Sequence, residues 1–202
     1  MEITQINRRF REANPTQVVE WALQTAKSPV VTTNFRPYEV AILHLVTQVD
    51  PNIKVIWCDT GYNTPNTYRH AHDLIQRFDL NIDIYVPQLS SGYRDVVMGI
   101  PEVDSADHAL FSEQVKLEPF RRAMKEHTPD VWFTNLRKGQ TAFRDSIDIV
   151  SASEDGVLKI SPFYHFTDAD LDAYLAAYDL PNEHIYYDPT KALANRECGI
   201  HK

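Results

Sequence analysis

Near its C-terminus the chain carries RECGIH, residues 196–201, which holds Cys198, one of only two cysteines. The thiolate is the reactive form of cysteine, and nearby cations lower a thiol's pKa. Lys191, Arg196, His201 and Lys202 all lie close to Cys198 in sequence. Gly199 removes a side chain beside the sulfur and eases approach to it. These residues suit a nucleophilic thiol; an incidental surface thiol on a frayed terminus is the competing reading. A second segment, LRKGQTAFR (136–144), places Arg137, Lys138 and Arg144 within eight residues. Guanidinium groups suit two-pronged contacts to phosphate or sulfate; a solvated loop is the alternative. In DTGYNTP (59–65), Asp59 can accept from a ribose hydroxyl or close an Asx-turn into the next helix, and Gly61 permits close backbone approach. In TTNFRP (32–37), Thr32, Thr33 and Asn34 can donate to a phosphate or simply cap an ordinary strand-to-helix turn. That loop has no glycine and no Gly-Lys-Ser/Thr, so it is not a P-loop. The second cysteine, Cys58, ends the apolar run IKVIWC and reads as a small core residue.

The elements around these segments alternate. PTQVVEWALQTAK (15–27) sets Val18, Val19, Ala22, Leu23 and Ala26 on one helical face, with Pro15 suited to a helix start. Strands are expected at 29–34, 53–58, 81–87 and 130–135, and a strand pair at 147–152 and 157–163. Helices are expected at 37–49, 65–78 and about 108–126. A last helix follows Phe166, where Thr167 and Asp170 form a capping box. Strands spaced by helices imply a mostly parallel, twisted sheet covered on both faces, a single α/β domain. Ligands bind such sheets at the C-terminal strand ends, which is where the three polar loops fall. The division expected is an N-terminal helical segment 1–28, an α/β nucleotide-binding domain 29–185, and a mobile tail 186–202 carrying the cysteine.

Composition narrows the function classes. A net charge of −8 over 202 residues leaves no global basic footprint for nucleic acid. An anionic substrate must therefore be met by a local basic cluster. Two cysteines this far apart make neither a disulfide framework nor a metal-ligand spacing, and an iron–sulfur site wants about four thiolates. No metal or bound cofactor is expected. No apolar run approaches the ~18 residues of a membrane span, and the N-terminus has no signal-like apolar region; the cytoplasm is the expected compartment.

Together these segments resemble the phosphoadenylyl-sulfate (PAPS) reductase family of the adenine-nucleotide α-hydrolase-like group. RECGIH is similar to that family's C-terminal signature, DTGYNTPNTY to its DTGY block, LRKGQTAFR to its arginine block, and VTTNFRPYEVAILHLV to its serine-rich loop and following helix. The resemblance implies reduction of 3′-phosphoadenylyl sulfate to sulfite and adenosine 3′,5′-bisphosphate, through an S-sulfonated Cys198. Thioredoxin or glutaredoxin would be the external reductant. Arg196 and His201 would assist the thiol; Thr32, Thr33, Asn34 and Phe35 would cradle a phosphate; Asp59, Thr60 and Gly61 would line the nucleotide site; Arg137, Gln140 and Arg144 would hold anionic groups. The family is often dimeric, and segment 1–15 with Arg8, Arg9 and Arg11 is a candidate contact. Two departures stand out. Arg36 replaces the family's usual glycine, and only YYDPTKALAN (186–195) joins the last helix to the cysteine segment. The alternatives are a shortened relative acting on another adenylated or sulfur-bearing substrate, and a non-catalytic nucleotide-binding protein.

Overall fold

The computed structural model describes residues 2–102 and 104–191. Arg196, Cys198 and His201, and the expected mobility of their segment, lie outside the described residues. Two helices open the chain, α1 (Ile3–Phe10) and α2 (Pro15–Thr25). Asn14 caps α2 by accepting from Thr16 N, while Gln17 accepts from Asn14 N in return. Six strands follow: β1 (Pro29–Thr33), β2 (Lys54–Cys58), β3 (Ile82–Tyr85), β4 (Val131–Phe133), β5 (Val150–Ala152) and β6 (Leu158–Ile160). They form one sheet in the order β3-β2-β1-β4-β6-β5. Every neighbouring pair is parallel except the β5–β6 hairpin.

The remaining helices are α3 (Glu39–Val49), α4 (Pro65–Phe78), α5 (Ser91–Val97), α6 (Asp107–Ser112), α7 (Glu118–His127), α8 (Ala142–Asp145) and α9 (Asp168–Ala177). The period-two side chains of the strands sort into two cores. Val31, Val55, Trp57 and Phe133 join the main core, with side chains from α1, α2, α3, α4 and α9. Val30, Ile56, Tyr85 and Trp132 face the opposite way and pack on Ala123, with Phe120 and Met124 of α7 alongside. One face of the sheet is thus thickly covered and the other is covered chiefly by α7. The N-terminal helices belong to the main core, with Ile6, Phe10, Val18, Val19 and Ala22 buried in it.

The elements expected from sequence are largely present, with physical differences. The 37–49 helix begins only at Glu39, because Tyr38 takes a left-handed conformation with φ of 68°. The 108–126 helix is interrupted: between α6 and α7 the turn Glu113–Leu117 is a π-turn. Pro119 follows one residue after Glu118 begins α7, and a proline there cannot donate the N–H that a regular α-turn needs. Helix α5 was not anticipated from sequence. It is one short helix whose apolar residues do not point inward, so the usual amphipathic signal is inverted.

Candidate active site

In a sheet ordered β3-β2-β1-β4, the chain leaves β1 to build outward to β2 and returns to β1's other side with β4. That reversal opens a crevice at the C-terminal ends of β1 and β4. A cavity of about 70 Å³ lies there, lined among others by Thr32, Thr33 and Asn34 after β1 and by Thr134, Asn135 and Leu136 after β4. Its size suits a compact oxyanion. Among the described residues, four cations line it, Arg36, Lys116, Arg144 and Lys191, against one carboxylate, Glu39. This is the local basic cluster that a chain of net charge −8 needs to hold an anion.

The loop after β1 is tightly specified. Thr33 Oγ1 accepts from Phe35 N at 3.1 Å, and Asn34 Oδ1 accepts from Arg36 N at 3.2 Å. Phe35 and Tyr38 both have positive φ, 53° and 68°, a conformation that costs a bulky residue energy and persists only when packing over-determines it. The packing is on hand: Phe35 is buried with its ring edge-on to Trp57. Tyr38 donates its N–H to Asn182 Oδ1 at 2.8 Å and accepts at its carbonyl from Asn135 Nδ2 at 3.0 Å. Thr32, Thr33 and Asn34 reach the cavity wall; Phe35 does not, and serves as a packing anchor instead. The amides of Phe35 and Arg36 are used by the loop's own side chains, so the cradle rests on side chains and cations rather than on those two N–H groups. Arg36, standing where the family has glycine, lines the cavity and donates Nε to Glu39 Oε1 at 2.8 Å. Asn135 Oδ1 is a buried acceptor with no partner among the described residues.

The loop after β4 divides its cations. Arg144 is buried on the cavity wall and hydrogen-bonds the Gln140 side chain. Its backbone is clamped: Thr141 Oγ1 accepts from its N–H at 3.2 Å, and Tyr164 Oη donates to its carbonyl at 2.6 Å. Arg137 is equally buried but is not among the lining residues. It pairs with Asp168 at 2.6 Å at the start of α9 and stacks over the Tyr38 ring, 5.3 Å from its centroid. The sequence treats these two arginines alike; the fold gives one to the cavity and the other to a structural contact.

Asp59, Thr60 and Gly61 sit at the end of β2, beside the cavity rather than on its wall. Asp59 Oδ1 accepts from Gly61 N at 2.9 Å, Asn63 Nδ2 at 2.8 Å and Tyr68 Oη at 2.9 Å. The Asx-turn read for this carboxylate is formed. Burial, with the adjacent Asp59 carboxylate adding to it, raises the Tyr68 phenol to about 12. Gly61 has φ of 80°, a left-handed conformation that favours glycine; a Cβ there would meet Ser91 only at ordinary contact distance, 3.5 Å. Cys58 is half-buried: it packs against the smaller core, as its apolar neighbours suggest, and also lines the cavity.

Several lining groups escaped the sequence analysis. The π-turn carries Lys116 into the cavity wall, where it is buried and pairs with Asp188. Asp188 Oδ1 also accepts from Thr190 N at 3.0 Å and Thr190 Oγ1 at 2.7 Å. Burial pushes the Asp188 carboxyl up, but the Lys116 ammonium and these hydrogen bonds outweigh it and hold the pKa below the ordinary range. Thr64, which caps α4, and Thr67 within it both donate to Ile185 O. Residues 185–190 are therefore tied to the body of the protein, and Lys191 lies on the cavity wall. A π-turn is not readable from composition; Pro119 was the one available hint. Phe120, also on the wall, follows from the same helix.

Comparison with known proteins sets this geometry in context. Residues 28–193 match the family model described as the phosphoadenosine phosphosulfate reductase domain. A protein from a Synechococcus species named phosphoadenosine 5′-phosphosulfate reductase is 34% identical over 187 residues, covering 91% of this chain and 80% of its own. The crystal structure of a phosphoadenylyl-sulfate reductase from Candida auris, in a phosphate complex, superposes with a TM-score of 0.79 at 26% identity, over 89% of this chain and 87% of that one. A tRNA thiolase from Methanococcus maripaludis shares the fold, with a TM-score of 0.58 at 12% identity over 89% of this chain and 67% of its own. The sulfur-transfer alternative thus has a parallel in fold alone.

Proposed function

The chain belongs to the phosphoadenosine phosphosulfate reductase family, and from that membership we propose that its cavity holds the sulfate end of 3′-phosphoadenylyl sulfate for attack by Cys198. The observation that carries the proposal is the position of Lys191. It lines the same cavity as Arg144 and Thr32–Asn34, and Cys198 follows seven residues later, a span of at most ~25 Å of extended chain. The thiol is thereby tethered within reach of the cavity.

In the reaction proposed, the Cys198 thiolate attacks the sulfonyl sulfur and forms a sulfur–sulfur bond. The bond from that sulfur to the bridging phosphate oxygen breaks, and adenosine 3′,5′-bisphosphate departs with the electron pair. A thiolate of a reduced dithiol protein then attacks the Cys198 sulfur and expels sulfite. The second thiol of that protein resolves the mixed disulfide, returning Cys198 to the thiol and leaving the reductant oxidised. Thioredoxin or glutaredoxin fills this role, and dependence on a dithiol fits a reducing compartment such as the cytoplasm. Arg36, Lys116, Arg144 and Lys191 supply the positive field that gathers the substrate's negative charge, and Arg196 and His201 lower the thiol's pKa. Gln140 orients Arg144. Asp59, Thr60 and Gly61 shape the neighbouring rim for the nucleotide.

The test is incubation of the reduced protein with substrate in the absence of reductant, followed by mass spectrometry. An added SO₃ on the peptide bearing Cys198 is expected, lost on adding reduced thioredoxin with stoichiometric release of sulfite. Cys198→Ser should bind the nucleotide and form no adduct. Binding without any adduct on the wild-type cysteine defeats the proposal.

A further inference from the structure

Cys58 is a nucleophile that the reaction proposed above does not use. It ends β2, in parallel register with Tyr85 of β3, so its backbone is fixed on the sheet. Its side chain packs against the smaller core and lines the cavity. The chain has one other cysteine, Cys198, and this cavity is where that thiol is proposed to work. Lys191 lies on the cavity wall and tethers Cys198 seven residues later, within ~25 Å of extended chain. A disulfide asks that its two Cα atoms come within ~4.4–6.8 Å. One partner stands on a strand end, and the other has a tether long enough to meet it.

The cavity is also built to receive a hydrogen-bond donor. Asn135 is 5% exposed and lines the wall. Its Nδ2 donates to Tyr38 O at 3.0 Å, which fixes the orientation of the amide. Oδ1 is left buried with no partner among the described residues, and an acceptor in that position is costly to leave unpaired. Ionised sulfate and phosphate groups bring acceptors rather than donors. A peptide N–H of an entering chain brings the donor that Asn135 lacks. The wall thus fits a stretch of polypeptide as well as an anion, and at about 70 Å³ the space holds a thiol against its lining side chains.

We propose that Cys58 is the disulfide partner of Cys198. On oxidation the two thiols join across the cavity, close it to substrate, and keep Cys198 in a form that a reduced dithiol protein restores. The inference rests on the reading that Cys198 works in this cavity. Hydrogen peroxide is the oxidant. The Cys198 thiolate attacks one peroxide oxygen, the oxygen–oxygen bond breaks, hydroxide leaves, and Cys198 becomes a sulfenic acid. The Cys58 thiolate then attacks that sulfur. A sulfur–sulfur bond forms as the sulfur–oxygen bond breaks, and the oxygen leaves as hydroxide. In sum, two thiols give two electrons and two protons to one peroxide, which becomes two waters. Thioredoxin returns both thiols by exchange. Without a second thiol at hand, the sulfenic acid goes on to sulfinic acid, which exchange with a dithiol does not reverse. Arg36, Lys116, Arg144 and Lys191 surround the cavity with positive charge, which favours the thiolates that both steps need. The distance between the two cysteines in sequence argues against a structural framework disulfide. The bond proposed is of the other kind, transient and redox-sensing, which suits a reducing compartment.

Peroxide treatment of the reduced wild-type chain, without nucleotide, tests this. The thiol titre should fall from two per chain to none. Digestion without reductant should yield a peptide pair joining Cys58 to Cys198, lighter than the two separate peptides by two hydrogens. The product should run as one chain of 23.3 kDa on a non-reducing gel. Activity should be lost on oxidation and return with reduced thioredoxin. Cys58→Ser, measured against its own untreated activity, should be inactivated by the same dose and fail to recover, with Cys198 found as sulfinic acid. A Cys198–Cys198 bond between two chains overturns the proposal. So does a Cys58 that keeps its thiol while Cys198 oxidises, or a Cys58→Ser variant that recovers as the wild type does. Mapping of the wild type needs no substitution and decides alone if the variant does not fold. The SO₃ adduct is read on the fully reduced chain with substrate, so failure of that reaction and failure of this cross-link are told apart.

Discussion

Arg137 and Arg144 lie seven residues apart on one loop and meet opposite surroundings. Arg144 lines the cavity, whereas Arg137 is spent on Asp168 and the Tyr38 ring. Removing Arg144 as Arg144→Ala should lower kcat/KM by about 10- to 100-fold, the loss of a charge-assisted contact worth ~1.5–3 kcal/mol. Arg137→Ala should change kcat/KM little. It should instead destabilise the fold by ~1–2 kcal/mol, since Asp168 is largely solvent-exposed and the ion pair is partly screened. Steady-state kinetics and thermal melts on the same two preparations separate these effects, and the opposite pattern would reverse the assignment. Sequence spacing could gather both cations on one loop. It could not say which way each points, because a one-residue difference in loop path turns a side chain from cavity to core. Cys58 shows the same limit: its apolar neighbours read as core, yet the last residue of a parallel strand sits where the crevice opens.

At the scale of elements, the π-turn before α7 and the segment 185–190 are joined through Lys116 and Asp188. Replacing Asp188 with asparagine leaves a buried ammonium without its counter-charge, which costs ~3–5 kcal/mol where such pairs are broken. The effect has a pH signature. The folded carboxyl's pKa lies below its ordinary value of 3.8, so the pair's contribution is fully present above that value and is lost as pH falls through the lower folded pKa. Denaturant unfolding of wild type and Asp188→Asn should therefore differ by a constant amount near neutral pH and converge only below about pH 3.8. Convergence at pH 6 would mean that Asp188 is not the group responsible. Among the elements themselves, the Thr167 capping box, the Pro15 helix start and the 65–78 helix were legible from sequence, because caps and helical periodicity are set by residues a few positions apart. Helix α5 and the π-turn were not. Each owes its form to contacts made far away in the chain.

For the whole molecule, the distribution of charge matters more than its sum. The chain is acidic overall, yet four cations converge on one cavity at the strand-order reversal. A ligand that binds there selects the folded state. Adenosine 3′,5′-bisphosphate held at a hundred times its low-salt Kd should, at low salt, stabilise the protein by ~2.7 kcal/mol and raise Tm by roughly 5–11 °C. Calorimetry in low and high salt measures it, and the shift should shrink with salt as the cations are screened; a shift that is absent at low salt would remove this cavity as the nucleotide site. The sequence alone determined the alternation of strand and helix, the parallel sheet, the three polar loops and the family, because periodicity, capping and motif spacing are properties of short stretches. Tertiary structure alone decided that β1 and β4 are neighbours, that Lys116 and Cys58 reach the cavity while Arg137 and Phe35 do not, and that the apolar side of α5 faces outward. The reason is physical: strand order and side-chain direction follow from which surfaces bury most apolar area together, and those surfaces lie tens of residues apart in the chain.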